Sequence, residues 1–488
     1  MHKSIMIQGT MSNSGKSFLT AALCRIFMQD GYSSAPFKSQ NMALNSYITY
    51  DGLEMGRAQA MQAQAAETEP SVLMNPILLK PTTDTGSQII LNGKPLGNMN
   101  AVEYFRRKKD FIPYIRNAYE RLSSMYDITV IEGAGSPVEM NLKTDDIVNM
   151  GMAEIADSPV ILVGDIDRGG VFAQLYGTVS LLTPDERKRV KGLIVNKFRG
   201  DKSLFDDGIK ILENLCGIPV LGVIPYIKCD IEDEDSLSDK IVKLSDLGDD
   251  IKIRIAVPKL PKMSNFTDFD VFLQYRGVGV YYAEKPQELS QADMIIISGT
   301  KSTVSDMKYL RESGFEDAIK KYASENIPVF GICGGYQILG RKISDPYNME
   351  CGGIIDGMNL LDCETVFSHE KKTVRTKGFF GNISGYFSFL SGKPFSGYEI
   401  HMGRTDNNEN LLTDCGGAYR NNVAGCYVHG IFDETAEYIV KNLYDKKCLE
   451  YMGGNPDREN YKHQQFDILA ENVRENLDMD KIYEIIKG

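Results

Sequence analysis

The chain of 488 residues contains no tryptophan, only five histidines and no Cys-x-x-Cys pair. Each shortage excludes something. Nine irregularly spaced cysteines without a CxxC pair suggest neither a zinc site nor a disulfide framework, and they suit a reducing cytosol. No apolar run approaches the ~18 residues that a membrane helix needs. The opening MHKSIMIQGT lacks the long apolar core of an export signal, so a cytoplasmic location is expected. Basic residues are in deficit, 54 Lys and Arg against 66 Asp and Glu, for a net charge of −12. That balance argues against nonspecific binding to nucleic acid or to anionic membranes. It leaves room for small anionic ligands, which backbone N–H groups bind locally. Low-complexity tracts and short repeats are missing too. What remains is ordinary globular composition, 42% hydrophobic and 25% charged, at a length that suits two or three domains.

The chain is organised around Ile327–Gly340, IPVFGICGGYQILG. An apolar run ends at Cys333, two glycines follow, and a helix-like segment begins. Strand, sharp turn and helix with a thiol at the turn is the geometry of a presented nucleophile. The helix N-terminus beyond it favours thiolate. A buried structural cysteine in a Gly-rich loop is the alternative. A nucleophilic thiol needs a base, and His429 in CYVHGIFD follows another strand-like run. It reaches Cys333 if the two strands are neighbours in one sheet.

The N-terminal half carries a second set of signals. Ser4–Gln8 reads as a buried strand, followed by Gly9, Thr10, Met11, Ser12, Asn13, Ser14, Gly15, Lys16 and Ser17, and then a helix from Phe18. This strand, Gly-rich loop and helix form a phosphate cradle. Loop N–H groups contact phosphate oxygens, Lys16 neutralises β/γ charge, and the Ser17 hydroxyl ligates Mg²⁺. Cofactors are therefore ATP and Mg²⁺. Glu132, at the end of the apolar run Ile128–Ile131, is the strongest further metal candidate. Asp51 or Glu54 offers a second carboxylate, with Glu54 preferred. Lys38 at a strand end contacts a phosphate or a substrate carboxylate, or is a plain surface lysine. Asn41 and Glu139 lie on loops that face substrate. Asp165 and Asp167 serve metal, substrate or an activated intermediate, or else cap a turn.

Strands and helices alternate, with ligand signals at strand ends, so the fold class is α/β. We expect an N-terminal P-loop domain with a doubly wound, mostly parallel sheet over residues 1–230. An acidic connection spans 231–250, and a second α/β domain covers 251–488. The polar helical segment after Glu434 is expected to pack on that second domain.

GICGGYQILG together with YVHGIFD resembles the class I, triad-type glutamine amidotransferase family. That likeness implies glutamine hydrolysis through a cysteinyl thioester, with Cys333 as nucleophile and His429 as base. It also implies an oxyanion hole from the N–H groups of Gly299 and Gly334. Most relatives carry Glu two residues after the histidine; here Ile431 stands there, which is typical of the cobyric/cobyrinic amide synthase branch. TyrGluIleHisMetGly, 398–403, resembles a motif near the glutamine pocket, and His401 is a rival to His429. Five residues separate Gly9 from Gly15 rather than four, and this longer loop resembles the dethiobiotin synthetase type of ATPase. Asn196, in Asn-Lys after a late strand, resembles the base-recognition position of P-loop nucleotide enzymes. The fusion of the two parts resembles the cobyric acid synthase family over nearly the whole chain. The resemblance implies ATP- and glutamine-dependent amidation of carboxylates b, d, e and g of a corrinoid, adenosylcobyrinic acid a,c-diamide, with ammonia passing between the domains. Cobyrinic acid a,c-diamide synthase has the same architecture. Another glutamine-dependent ligase, and a non-enzymatic P-loop switch with a degenerate amidotransferase module, are the other readings.

Overall fold

The computed structural model describes residues 3–81, 86–231, 242–350, 352–454 and 458–488. They form two units: 1–49, 54–236 and 459–488 in the first, 50–53 and 237–458 in the second.

Apolar runs in the first unit become strands buried on both faces, which is the pattern of a covered parallel sheet. Six of them form that sheet in the order Val220–Pro225, Val190–Phe198, Val160–Asp165, Lys3–Gly9, Ile128–Glu132 and Ser34–Phe37, every neighbouring pair being parallel. The doubly wound parallel sheet is thus as expected. Its strands all end on one side, so Gly9, Glu132, Asp165 and Asn196 meet at a single edge. Ile77–Pro81, Gly86–Leu91 and Lys94–Asn100 build a small four-stranded sheet with Gln40–Met42.

The tail differs from expectation. Ala436–Lys446 packs in the second unit, but the helix Arg458–Asn476 from residue 459 on and Met479–Lys487 belong to the first. The reason is apolar burial. Phe466, Leu469, Val473, Ile482 and Ile486 join Leu19, Leu23 and Ile26 in one core. Arg25 also meets Asp467, and Arg474 meets Asp30. The second domain therefore does not run to residue 488. Of the expected connection 231–250, residues 232–241 lie outside the described residues, and 242–250 count with the second unit.

The second unit holds a seven-stranded sheet in the order Val278–Ala283, Ile253–Pro258, Met294–Ile297, Val329–Ile332, Val423–Cys426, Gly416–Arg420 and Asn410–Thr413. The first five run parallel and the last two antiparallel. Val329–Ile332 and Val423–Cys426 are direct neighbours, with Ile332 opposite Cys426. A long antiparallel hairpin, Cys363–Phe379 with Pro394–Asn407, lies in a separate sheet.

Candidate active sites

Cys333 stands between the strand Val329–Ile332 and the short helix Gly334–Leu339, at φ 53° and ψ −107°. A positive φ at a non-glycine residue is strained and persists only where its surroundings hold it. Here the Cys333 N–H donates to the Cys426 carbonyl at 2.8 Å, and the Cys333 carbonyl accepts from the Gln337 N–H at 3.2 Å. Gly335 must be glycine: a Cβ there would lie 2.1 Å from the Ile297 carbonyl oxygen.

Because the two parent strands are paired, His429 comes within hydrogen-bonding reach of the Cys333 side chain. The thiol also donates to the Ile400 carbonyl oxygen at 3.8 Å. On its other side His429 Nδ1 is 2.7 Å from Asp268 Oδ2, and the Gly430 N–H donates to Asp268 Oδ1 at 3.0 Å. Tyr398 stacks on the ring, with centroids 5.3 Å apart, and its backbone exchanges two hydrogen bonds with His429. Burial disfavours a charged His429, but Asp268 and Cys333 outweigh it and push the ring up to about 10. The charged form of the ring is therefore favoured.

Asp268 is the residue sequence reasoning missed. Its carboxylate faces the His429 ring, while Ile431, two residues after the histidine, is buried in the core. A faint signal existed: Asp268 is an acid inside the apolar run Phe266–Phe272, whose Phe266, Phe269, Val271 and Phe272 are all buried. An acid in such company needs a partner. Gly299 borders the site too; a Cβ on it would lie 3.0 Å from His429 Cε1. Gly334 packs against Thr300, the residue after Gly299. His401 faces elsewhere: Nε2 is 3.0 Å from Glu399 Oε2 and Nδ1 is 2.7 Å from the Gly403 carbonyl oxygen.

In the first unit the loop Gly9–Ser17 wraps the end of the central strand. Ser17 Oγ donates to Glu132 Oε1 at 2.9 Å, and Lys38 Nζ meets the same oxygen at 2.8 Å. Lys38 is thus buried against Glu132, not a surface lysine. Gln62 Nε2 donates to Glu132 Oε2 at 2.5 Å. Burial would raise the Glu132 carboxyl, yet Lys38, Gln62 and Lys16 hold it below the usual carboxylate range. Lys16 Nζ donates to the Met11 carbonyl oxygen at 3.0 Å and to that of Gly135 at 3.4 Å. Thr10 Oγ1 donates to Gln174 Oε1 at 3.1 Å, and the Ser14 hydroxyl is buried without a hydrogen-bond partner among the described residues.

Asn196 braces this loop. Its Nδ2 donates to the Ser14 carbonyl at 2.9 Å, and Lys197 Nζ donates to the Asn13 carbonyl at 2.6 Å. Gly15 has φ +94°, and a Cβ on it would fall 2.0 Å from Asn196 Nδ2, so glycine is required twice over. Other expectations shift. Glu54, expected as a metal ligand, has its carboxylate in a buried pair with Lys80 at 2.7 Å and accepts from Ser46 Oγ at 2.7 Å. Asn41 is buried and donates to Gln59 Oε1 at 3.1 Å. Glu139 is exposed on its loop. Asp165 Oδ1 accepts the Asp167 N–H at 2.8 Å, as in a capped turn, and Lys197 lies 3.1 Å from its other oxygen. Asp167 pairs with Arg199 at 2.6 Å.

Residues 5–238 match the family described as the CobQ/CobB/MinD/ParA nucleotide binding domain, and residues 254–437 the CobB/CobQ-like glutamine amidotransferase domain. A cobyric acid synthase of Ruminiclostridium cellulolyticum is 54% identical to this chain, with 100% of the chain and 98% of that protein covered. The chain belongs to the cobyric acid synthase family. A second cobyric acid synthase, from Lachnoclostridium phytofermentans, is 51% identical over 100% of the chain and 99% of its own length. The one from Alkaliphilus metalliredigens is 50% identical over 99% and 100%. Membership in the cobyric acid synthase family makes the chain an amidating enzyme that uses a nucleotide and glutamine. Among the described residues no helix is long and apolar enough to cross a membrane.

Proposed function

We propose that this chain makes cobyric acid, amidating carboxylates b, d, e and g of adenosylcobyrinic acid a,c-diamide with ATP and glutamine. The observation that carries this reading is the Cys333–His429–Asp268 arrangement in a chain that also bears a complete phosphate loop.

Cys333 passes its proton to His429 and attacks the glutamine amide carbon, and the C–N bond breaks as the imidazolium so formed gives a proton to the leaving NH₂ group, which departs as ammonia. Asp268 keeps the ring oriented throughout, as carboxylates do in such triads. Water, deprotonated by the now neutral His429, then hydrolyses the thioester and releases glutamate. The N–H groups of Gly334 and Gly299 serve as oxyanion donors during both steps.

In the first unit the Gly9–Ser17 loop and Lys16 hold the nucleotide phosphates. A carboxylate is a poor acceptor for ammonia, so the γ-phosphoryl group is transferred to it first, giving an acyl phosphate with a good leaving group. The buried, unpartnered Ser14 hydroxyl fits a phosphate lining. Ser17 and Glu132 offer a hard-oxygen pair that would hold Mg²⁺. When bound, Mg²⁺ supplies positive charge against the β and γ oxygens. Lys38 and Gln62 keep the Glu132 carboxylate ionised and fixed.

Two variants test the division of labour. Cys333→Ala loses product made from glutamine and keeps product made from ammonium salts. Lys16→Ala loses product from either nitrogen source. Product is followed as a mass loss of about one unit per amidation, OH replaced by NH₂. Loss of both activities in well-folded Cys333→Ala, or turnover in Lys16→Ala, refutes the assignment.

A further inference from the structure

A second histidine–carboxylate pair lies beside the nucleophile. Glu399 and His401 are two apart on the strand Pro394–Asn407 and so share a face. Both nitrogens of His401 face acceptors, Glu399 and the Gly403 carbonyl, which leaves neither to take a proton from Cys333. Glu399 is 4% exposed and also accepts from Lys372 Nζ at 2.7 Å and Thr376 Oγ1 at 3.2 Å. The pair is firmly seated, and the His401 ring lies flat on Tyr427, centroids 3.6 Å apart at 15°.

Tyr427 passes this on. Its hydroxyl accepts from Gln337 Nε2 at 3.2 Å, while Gln337 Oε1 accepts from Thr303 Oγ1 at 3.0 Å. The Gln337 amide is thus held at both ends. Gly403 leaves it room, since a Cβ there would lie 2.3 Å from Gln337 Nε2. Gln337 sits four residues after Cys333, and its N–H holds the carbonyl of that strained residue.

We propose that His401 is a positioning residue of the glutaminase pocket: seated on Glu399, it fixes Tyr427, and through the Tyr427 hydroxyl it fixes Gln337 and the turn that presents Cys333. This rests on the glutaminase reading above. His401→Phe keeps a ring over Tyr427 and removes the ring-nitrogen contacts to Glu399 and the Gly403 carbonyl; Tyr427→Phe keeps the stack and removes the hydroxyl. Each lowers glutamine-supported kcat/KM by about tenfold, the loss of the one Tyr427–Gln337 hydrogen bond that both variants release, and spares the ammonia-supported rate. The decisive readout is a double-mutant cycle: in a Gln337→Ala background neither change has a further effect. Tenfold losses that persist in that background, or equal losses with ammonia, overturn the proposal. Should His401→Phe fail to fold, His401→Gln, which removes the stack on Tyr427, takes its place in the cycle with the same two outcomes. Cys333→Ala run in parallel separates the two levels: if it still makes product from glutamine, the glutaminase reading itself fails.

Discussion

Replacing Asp268 by Asn is the sharpest probe of the donor site. The amide exchanges one acceptor oxygen for an NH₂ donor, so it cannot accept from both His429 Nδ1–H at 2.7 Å and the Gly430 N–H at 3.0 Å. Raising a histidine from 6.5 to about 10 corresponds to roughly 5 kcal/mol of preference for the charged ring. That is the balance left after burial has opposed the charge, with Asp268 the larger and Cys333 the smaller favourable partner, and removing one partner of such a buried pair costs about 3 kcal/mol. Two decades of glutamine-supported kcat/KM, about 10²-fold, should therefore be lost. The ring stays buried, so without its partner its pKa falls below the ordinary 6.5 and the ring is neutral at pH 7. The sign for stability follows. A raised histidine contributes stability that is whole below about 6.5 and is lost as pH rises through about 10. Wild-type protein should thus lose stability between those limits, and Asp268→Asn should not. Glutamate release across pH 6–10, ammonia-supported synthesis and pH-dependent thermal unfolding measure the three consequences. Glutamine-supported activity within threefold of wild type, with an unmoved pH profile, would refute the reasoning.

Gly15→Ala should abolish ATP-dependent synthesis with either nitrogen source, because its Cβ would meet Asn196 Nδ2 at 2.0 Å in a backbone of φ +94°; nucleotide binding by calorimetry is the check, and undiminished affinity would remove the bracing role of Asn196. Glu54→Gln should leave Lys80 charged, buried and poorly paired, which costs about 3 kcal/mol of stability. The Mg²⁺ concentration for half-maximal synthesis should stay put; a marked rise would return Glu54 to the metal. Gly335→Ala should lower the melting temperature, since the Ile297 carbonyl blocks a Cβ at 2.1 Å; unchanged melting would mean the turn relaxes freely.

Much of both sites was legible in the residues alone because local patterns encode them. Strand, glycine-rich turn and helix are contiguous features, and they mark the Gly9–Ser17 loop and the Cys333 turn without reference to the rest of the chain. Apolar runs ending in polar residues marked Glu132 and His429 in the same way, since parallel strands gather their C-terminal ends on one edge. Three things needed the tertiary structure. Asp268 and His429 are 161 residues apart, and only the sheet order Ile253–Pro258, Met294–Ile297, Val329–Ile332, Val423–Cys426 folds them together. Glu54 has the charge of a metal ligand, but a buried Lys80 from a different strand takes it. The last thirty residues carry an apolar stripe that names no partner; the helix face of Leu19, Leu23 and Ile26 supplied one in the first unit rather than the second. The sequence by itself determined which chemistry each half carries, because that depends on neighbours along the chain. Which carboxylate orients which base, and where the tail packs, was decided by contacts between segments far apart in sequence, where burial and charge pairing outweigh any local preference.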